Sequence, residues 1–349
     1  MEKYFNDAII GNQNIVASYS KKGELLKLLY PNTDYRQMID FYHVGLKIND
    51  SGIVYLHQDV NNVYRQYYTE GTNILNTEIV NTYFNLKILQ TDFASVKEKI
   101  IVKKYKFTNE NTIDLNIDFL IHSSLISNQN NIVSGLCKND VLMQYNHNFI
   151  VSTFSKQKIK KSQIDSAEAN ILTAQIEDKG YVGISKDSAI SYEIGIIKPG
   201  ETKEFNIIIY VEENKTGLSD LEKNIDRLTK IDLKTEEENV KKYWRKYLKE
   251  HDGLELNLAE TPKNRRIEEI YARTILLFPL LMNKETGGIT SAIEDDKELN
   301  NCERYNYCCP RNAIFIANAM DILKMGKDTD KFYKVFCKNT QSRDGMWEQ

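Results

Sequence analysis

Proline is scarce in this chain, five in 349 residues, and tryptophan scarcer still, with two. Only Pro31, Pro199 and Pro262 precede residue 270, so any strands there have few built-in breaks. No run approaches the ~18 apolar residues that a membrane-crossing helix needs, so no membrane partner is expected. The opening residues, Met1 to Asp7, lack a basic stretch followed by an apolar one. No signal peptide is therefore read, and a cytoplasmic location is expected. A net charge of -3 and a pI near 6.1 give no electrostatic case for nucleic acid.

Cysteine is also sparse: Cys137, Cys302, Cys308, Cys309 and Cys337. An odd count without an export signal points to reduced thiols. No Cys-x-x-Cys pair occurs, and His43, His57, His122, His147 and His251 lie far from the cysteines in sequence. Neither a metal site nor a cofactor is expected from this pattern.

What is present is mostly β text from Asn12 to about Asn214. Ile113, Leu115, Ile117, Phe119 and Ile121 alternate with Asp114, Asn116, Asp118 and Leu120, close to the period of a strand with one buried face. Phe205, Ile207, Ile209 and Val211 repeat it after a Pro199-Gly200 turn. Further strands are expected at 15–19, 25–30, 44–48, 53–57, 83–89, 100–107, 149–154, 171–176 and 190–197. Such short apolar runs, broken by Asn, Asp, Gly and Ser, predict a large antiparallel sandwich over residues 1–214.

Residues 215–255 read as a helical linker. Ser219-Asp220-Leu221-Glu222 and Thr235-Glu236-Glu237-Glu238 have the form of capping boxes. Leu218, Leu221, Ile225 and Leu228 share one face of the first helix, and Val240, Trp244, Tyr247 and Leu248 one face of the second. A helical region follows over 256–349, beginning near Thr261-Pro262. Its helices are expected at 266–282 (kinked by Pro279, with Ile267, Ile270, Tyr271, Thr274, Ile275 and Phe278 on one face), 311–325 and 329–338.

The most informative stretch is Glu303–Asn312, Glu-Arg-Tyr-Asn-Tyr-Cys-Cys-Pro-Arg-Asn, followed by an apolar run that reads as a buried helix. Pro310 suits the first turn of that helix, leaving Arg311 and Asn312 at its entrance and Tyr305 and Tyr307 on the approach. Aromatic faces beside a guanidinium and an amide suit a sugar ring, which has an apolar face and a rim of hydroxyls. A capped helix beneath an aromatic loop would look the same.

Tyr305-x-Tyr307-x-x-Pro310-Arg311-x-Ala313, preceded by Gly287-Gly288-Ile289-Thr290-Ser291-Ala292, resembles the start of the catalytic domain in glucoamylase-type glycoside hydrolases of family 15. The resemblance implies a β-supersandwich, a helical linker and the first helices of an (α/α)6 toroid. It implies an inverting exo-glycosidase that releases glucose from the non-reducing ends of α-glucans or oligosaccharides. Its substrate-binding residues would be Tyr305, Tyr307, Arg311, Asn312 and Trp347. The family's usual Trp and Asp are replaced by Cys309 and Asn312, which removes an aromatic wall and a charged acceptor. The family's two catalytic glutamates are expected beyond Gln349, so the chain reads as a fragment inactive by itself. Glu294, Asp295, Asp296 and Glu303 read as a solvated loop rather than an acid/base pair. A disaccharide phosphorylase and a non-catalytic carbohydrate-binding module are the alternatives.

Overall fold

The computed structural model describes residues 6–347 except 13, 32–36, 127–132, 147–148, 174, 179–181, 186, 214, 255, 257 and 294–306. Strands β1 (Ala8–Gly11), β2 (Val16–Tyr19), β3 (Leu25–Leu29), β4 (Ile39–Ile48) and β5 (Ile53–Tyr55) come first. β6 (Asn62–Tyr68), β7 (Leu75–Asn81), β8 (Leu86–Ala94) and β9 (Ile100–Asn109) form an antiparallel meander, and β10 (Leu115–Leu125) pairs back on β4. β11 (Val133–Lys138), β12 (Val141–Tyr145), β13 (Phe149–Phe154) and β14 (Lys161–Ile164) lead to the short helix α1 (Ala167–Leu172). β15 (Val182–Ser185), β16 (Ser188–Ile197) and β17 (Thr202–Glu213) complete the strands.

Two antiparallel sheets result. The first runs β1-β2-β3-β4-β10-β16-β14 with β5 also beside β4, and the second runs β15-β11-β12-β13-β17-β9-β8-β7-β6. Between them Phe119 lies edge-on to Tyr105 at 4.8 Å and tilted against Phe205 at 4.8 Å. Tyr42, Leu46, Ile117, Phe107, Ile207 and Ile209 join the same buried core. Each such side chain contributes about 1.5–3 kcal/mol on burial, which is why the inward positions of the long strands alternate so regularly.

Two expected strands are corrected. The 83–89 strand begins instead at Leu86, because Asn85 adopts φ 47° and the Asn81 side chain accepts the Phe84 N–H at 2.9 Å, closing a turn. The 171–176 strand is replaced by α1 and the coil after it. Asp187 accepts the Ala167 and Glu168 N–H groups at 3.3 and 2.8 Å, satisfying the helix start from outside, while Ile171 and Ile176 pack with Leu120 and Ala189. A short apolar run does not by itself distinguish the two conformations.

Helices α2 (Leu218–Thr229) and α3 (Leu233–Glu250) cover the outer face of the second sheet. Leu221, Ile225, Leu228, Leu233, Val240 and Trp244 pack there with Phe93, Val102, Ile208 and Tyr210. Neither expected capping box forms. The N-cap of α2 is Gly217, with Ser219 already helical, and that of α3 is Asp232. Asp232 accepts the Lys234 N–H at 3.2 Å and the Thr235 hydroxyl at 2.6 Å, so its carboxylate displaces the threonine from the capping role.

α4 (Pro262–Leu281) starts at the Thr261 cap and α5 (Pro310–Ile322) at Cys309. α6 (Gly326–Lys331) continues through a π-helical stretch, Phe332–Cys337, into α7 (Lys338–Thr340). Ile275, Phe278, Met282, Ala313, Ala317, Met320 and Phe332 form their common core. The expected apolar face of α4 is buried only in its second half: Ile267 and Ile270 are exposed. α5 is likewise not buried all round. The stripe Ala313, Ala317, Met320 packs inward, whereas Ile314 and Phe315 face out.

Candidate functional site

The helix entrance singled out in the sequence is built from two chain segments. Cys309 is extended (φ −82°, ψ 114°), Pro310 occupies the first turn of α5, and the Ala313 N–H returns to the Cys309 carbonyl at 2.9 Å. Pro310 lacks the donor that this turn would otherwise leave orphaned. Arg311 and Asn312 consequently project from the exposed first turn, and Tyr307 beside them is half exposed.

The second segment is the Gly287–Ser291 loop. The Asn283 side chain accepts the Glu285 and Thr286 N–H groups at 2.8 and 2.9 Å, which turns the chain after α4. Gly287 has φ +80°, and a Cβ there would lie 2.5 Å from the Lys331 carbonyl carbon, so only glycine fits. The loop then meets the approach to α5 and the first turn of the helix. The Ile289 N–H donates to the Cys308 sulfur at 3.4 Å, and the Asn312 amide donates to the Ser291 hydroxyl at 2.9 Å.

Of the predicted site residues, Arg311 and Asn312 share this entrance and Tyr307 precedes it. Trp347 sits on a separate element, half buried, its indole N–H donating to the Cys337 carbonyl at 3.3 Å. Tyr305, Glu303 and the acidic run Glu294, Asp295, Asp296 lie outside the described residues, as does Cys302. Cys137, Cys309 and Cys337 are free thiols. Ser291, which holds Asn312, belongs to the glycine-loop motif and had no role assigned from sequence.

No family model and no curated protein matches this chain. Among solved structures, a bacterial glucoamylase complexed with acarbose superposes over 100% of this chain with a TM-score of 0.78 at 13% identity. The chain has a glucoamylase-like fold. It spans 52% of that protein's length. A putative kojibiose phosphorylase from the human microbiome superposes over 77% of this chain and 39% of its own, with a TM-score of 0.54 at 10% identity. At these identities the likeness is one of fold.

The sequence reading also missed a polar group on the outer face of the first sheet. Glu24 lies 3.4 Å from both His43 Nε2 and His57 Nε2. Beside them Tyr55 Oη is 2.6 Å from His122 Nδ1, and His122 Nε2 is 2.8 Å from Asp187. Burial lowers the His57 pKa to about 4 against the opposing pull of Glu24. Burial would raise Asp187, but His122 and the N–H groups of Glu168 and Ala167 outweigh it and keep the carboxylate ionised at lower pH than usual. The available signal was His43 and His57 placed symmetrically about one hairpin, visible only once its register is known.

Proposed function

We propose that this chain is the β-supersandwich, linker and opening helical part of a glucoamylase-type glycoside hydrolase. The proposed activity is inverting release of glucose from the non-reducing ends of α-glucans or oligosaccharides. Residues 1–214 are assigned to the sandwich, 215–255 to the linker and 256–349 to the N-terminal part of an (α/α)6 catalytic domain. The supporting observation is superposition of the entire chain on a glucoamylase solved with acarbose, with Pro310-Arg311 at a helix entrance.

In this reading Tyr305 and Tyr307 offer aromatic faces to a terminal glucose, and Arg311 and Asn312 offer donors to its hydroxyl rim. Trp347 would flank the same sugar. The exposed apolar residues Ile267 and Ile270 on α4 and Phe315 on α5 are surfaces that a ring of helices would cover. Inverting hydrolysis needs two carboxyl groups roughly 6.5–9.5 Å apart with water between them. No residue of this chain is assigned to that pair.

A disaccharide phosphorylase is the second reading, favoured by the kojibiose phosphorylase likeness. Ligand-detected NMR separates the two. The hydrolase reading expects acarbose to bind equally with and without inorganic phosphate. Absence of acarbose binding at millimolar concentration, with kojibiose bound only when phosphate is present, would replace it with the phosphorylase.

A further inference from the structure

One edge of β4 is shared by two short strands. β3 pairs there at Leu25–Tyr42, and β5 pairs further along through Gly45–Tyr55, Leu46–Val54 and Lys47–Ile53. Continuing the first register by one residue sets Glu24 opposite His43. Continuing the second sets His57 opposite the same His43, and the Leu56 N–H already donates to the Val44 carbonyl at 2.8 Å. The start of one strand and the end of another therefore deliver a carboxylate and an imidazole to a third residue between them.

The spacing of the three donors is specific. One Glu24 oxygen, Oε1, lies 3.4 Å from His43 Nε2 and 3.4 Å from His57 Nε2, and the ligand atoms of all three residues lie within 4.8 Å of one another. Charge-assisted N–H···O bonds run at about 2.7–2.9 Å, so these pairs are too long to be good hydrogen bonds. A tetrahedral ion with bonds of about 2.0–2.1 Å holds neighbouring ligand atoms about 3.3 Å apart. An octahedral ion with the same bonds would need about 2.9 Å. The two Glu24–imidazole edges fit the tetrahedral case, and the third, between the imidazoles, is no longer than 4.8 Å.

The surroundings hold this arrangement in place. His43 stacks on Phe41 at 4.8 Å and lies 4.8 Å from the Tyr55 ring, while Tyr55 stacks on His57 at 5.8 Å. Side-chain exposures of 20% for Glu24, 21% for His43 and 12% for His57 leave the group reachable from solvent. The Lys22 ammonium also faces the group, but it donates to the His57 carbonyl at 2.8 Å and lies over the Tyr64 ring.

We propose that Glu24, His43 and His57 bind a divalent transition metal, zinc foremost, as three protein ligands of a tetrahedral site. The donor set of two imidazoles and one carboxylate is suited to zinc, and the fourth position is left to water or an exchangeable oxygen ligand. This site lies in the β-sandwich and does not depend on the carbohydrate reading of the helix entrance.

The test uses the 349-residue chain with its affinity tag removed, stripped with a chelator and titrated with Zn2+ against a chromophoric competitor. One ion per chain is expected, with a Kd of micromolar or below and a Tm raised by several degrees. His57→Phe and Glu24→Gln should each weaken binding at least ~100-fold, whereas Cys308→Ser with Cys309→Ser should leave it unchanged. Should a ligand variant not fold, Co2+ bound to the unaltered chain decides: tetrahedral visible bands without a sulfur charge-transfer band are expected. No binding at 100-fold excess Zn2+, binding abolished by the cysteine changes, or a cobalt spectrum showing sulfur would each overturn the proposal.

Discussion

The Arg273 guanidinium lies 3.9 Å from the centre of the Tyr68 ring, joining α4 to the β6–β7 hairpin. The Tyr68 hydroxyl in turn accepts the Ile9 N–H and donates to the Ile9 carbonyl, each at 2.9 Å. Arg273 also donates to the Thr72 carbonyl at 3.1 Å and to the Asn73 side chain, whose amide reaches the Leu276 carbonyl at 3.1 Å. One cation thus ties a helix, a hairpin and an edge strand together.

Arg273→Met should loosen α4 from the sandwich, since it removes the cation from the ring and two charge-assisted hydrogen bonds. A loss of about 2–3 kcal/mol is expected. Limited proteolysis should then cut between residues 251 and 262 faster than in the unaltered chain, leaving a resistant β fragment. Unchanged cleavage would mean the apolar contacts of Leu276 and Leu280 alone fix the helix.

The buried Lys103–Asp92 pair, 2.7 Å apart within the sandwich, should be costly to break from one side. Burial holds the Lys103 pKa below its ordinary value and the Asp92 pKa above its own, so each charge persists through the other. Lys103→Met should lose about 3–5 kcal/mol in urea unfolding, and adding Asp92→Leu should recover much of it. A single variant as stable as the parent would contradict this.

Acid should weaken the contact between the linker helices and the second sheet. The Arg227 guanidinium, at 2.7 Å, holds the Glu98 pKa below 4.5. At Glu237 burial works upward, but Lys104 and Lys241 at 2.6 and 2.8 Å outweigh it. A folded-state pKa below the unfolded one gives stability that is complete above the unfolded value and lost as pH falls through the folded one. Stability should therefore hold down to about pH 5 and decline below pH 4.5, less steeply in Glu237→Gln. Identical pH profiles for parent and Glu237→Gln would show the carboxylate to be uninvolved.

Much of the sandwich was legible because its long strands carry a regular inward apolar stripe. The inward residues of β10 and β17 alternate without interruption from Leu115 to Ile121 and from Phe205 to Val211. β6 was not legible: Asn62–Tyr68 reads as mixed tyrosines and polar residues, and its inward tyrosines are only half buried. Helix boundaries slipped where two polar residues compete to cap, as Asp232 does with Thr235. Pro310 marked the start of α5. Trp347 could be placed near Arg311 only by resemblance, and its indole N–H donates to the Cys337 carbonyl. Glu24, His43 and His57 were invisible as a group because strand register, not sequence spacing, assembles them.

Gly287→Ala should disorder the loop beneath the entrance, since φ +80° and the Lys331 backbone leave no room for a methyl group. A cost of about 1–3 kcal/mol is expected. Backbone NMR should show the Ile289 and Ser291 signals moving while those of β10 stay in place. Shifts confined to residue 287 would contradict the packing described.

The central claim, that the helix entrance takes a terminal glucose, is tested most directly by titrating acarbose into the chain and following the Arg311 and Asn312 backbone signals. The account predicts saturable shifts at Tyr307, Arg311, Asn312 and Ser291, with affinity at least ~10-fold weaker in Arg311→Ala, a loss of about 1.4 kcal/mol. Saturable binding that perturbs other residues and is unchanged by Arg311→Ala would contradict it, as would no binding at all.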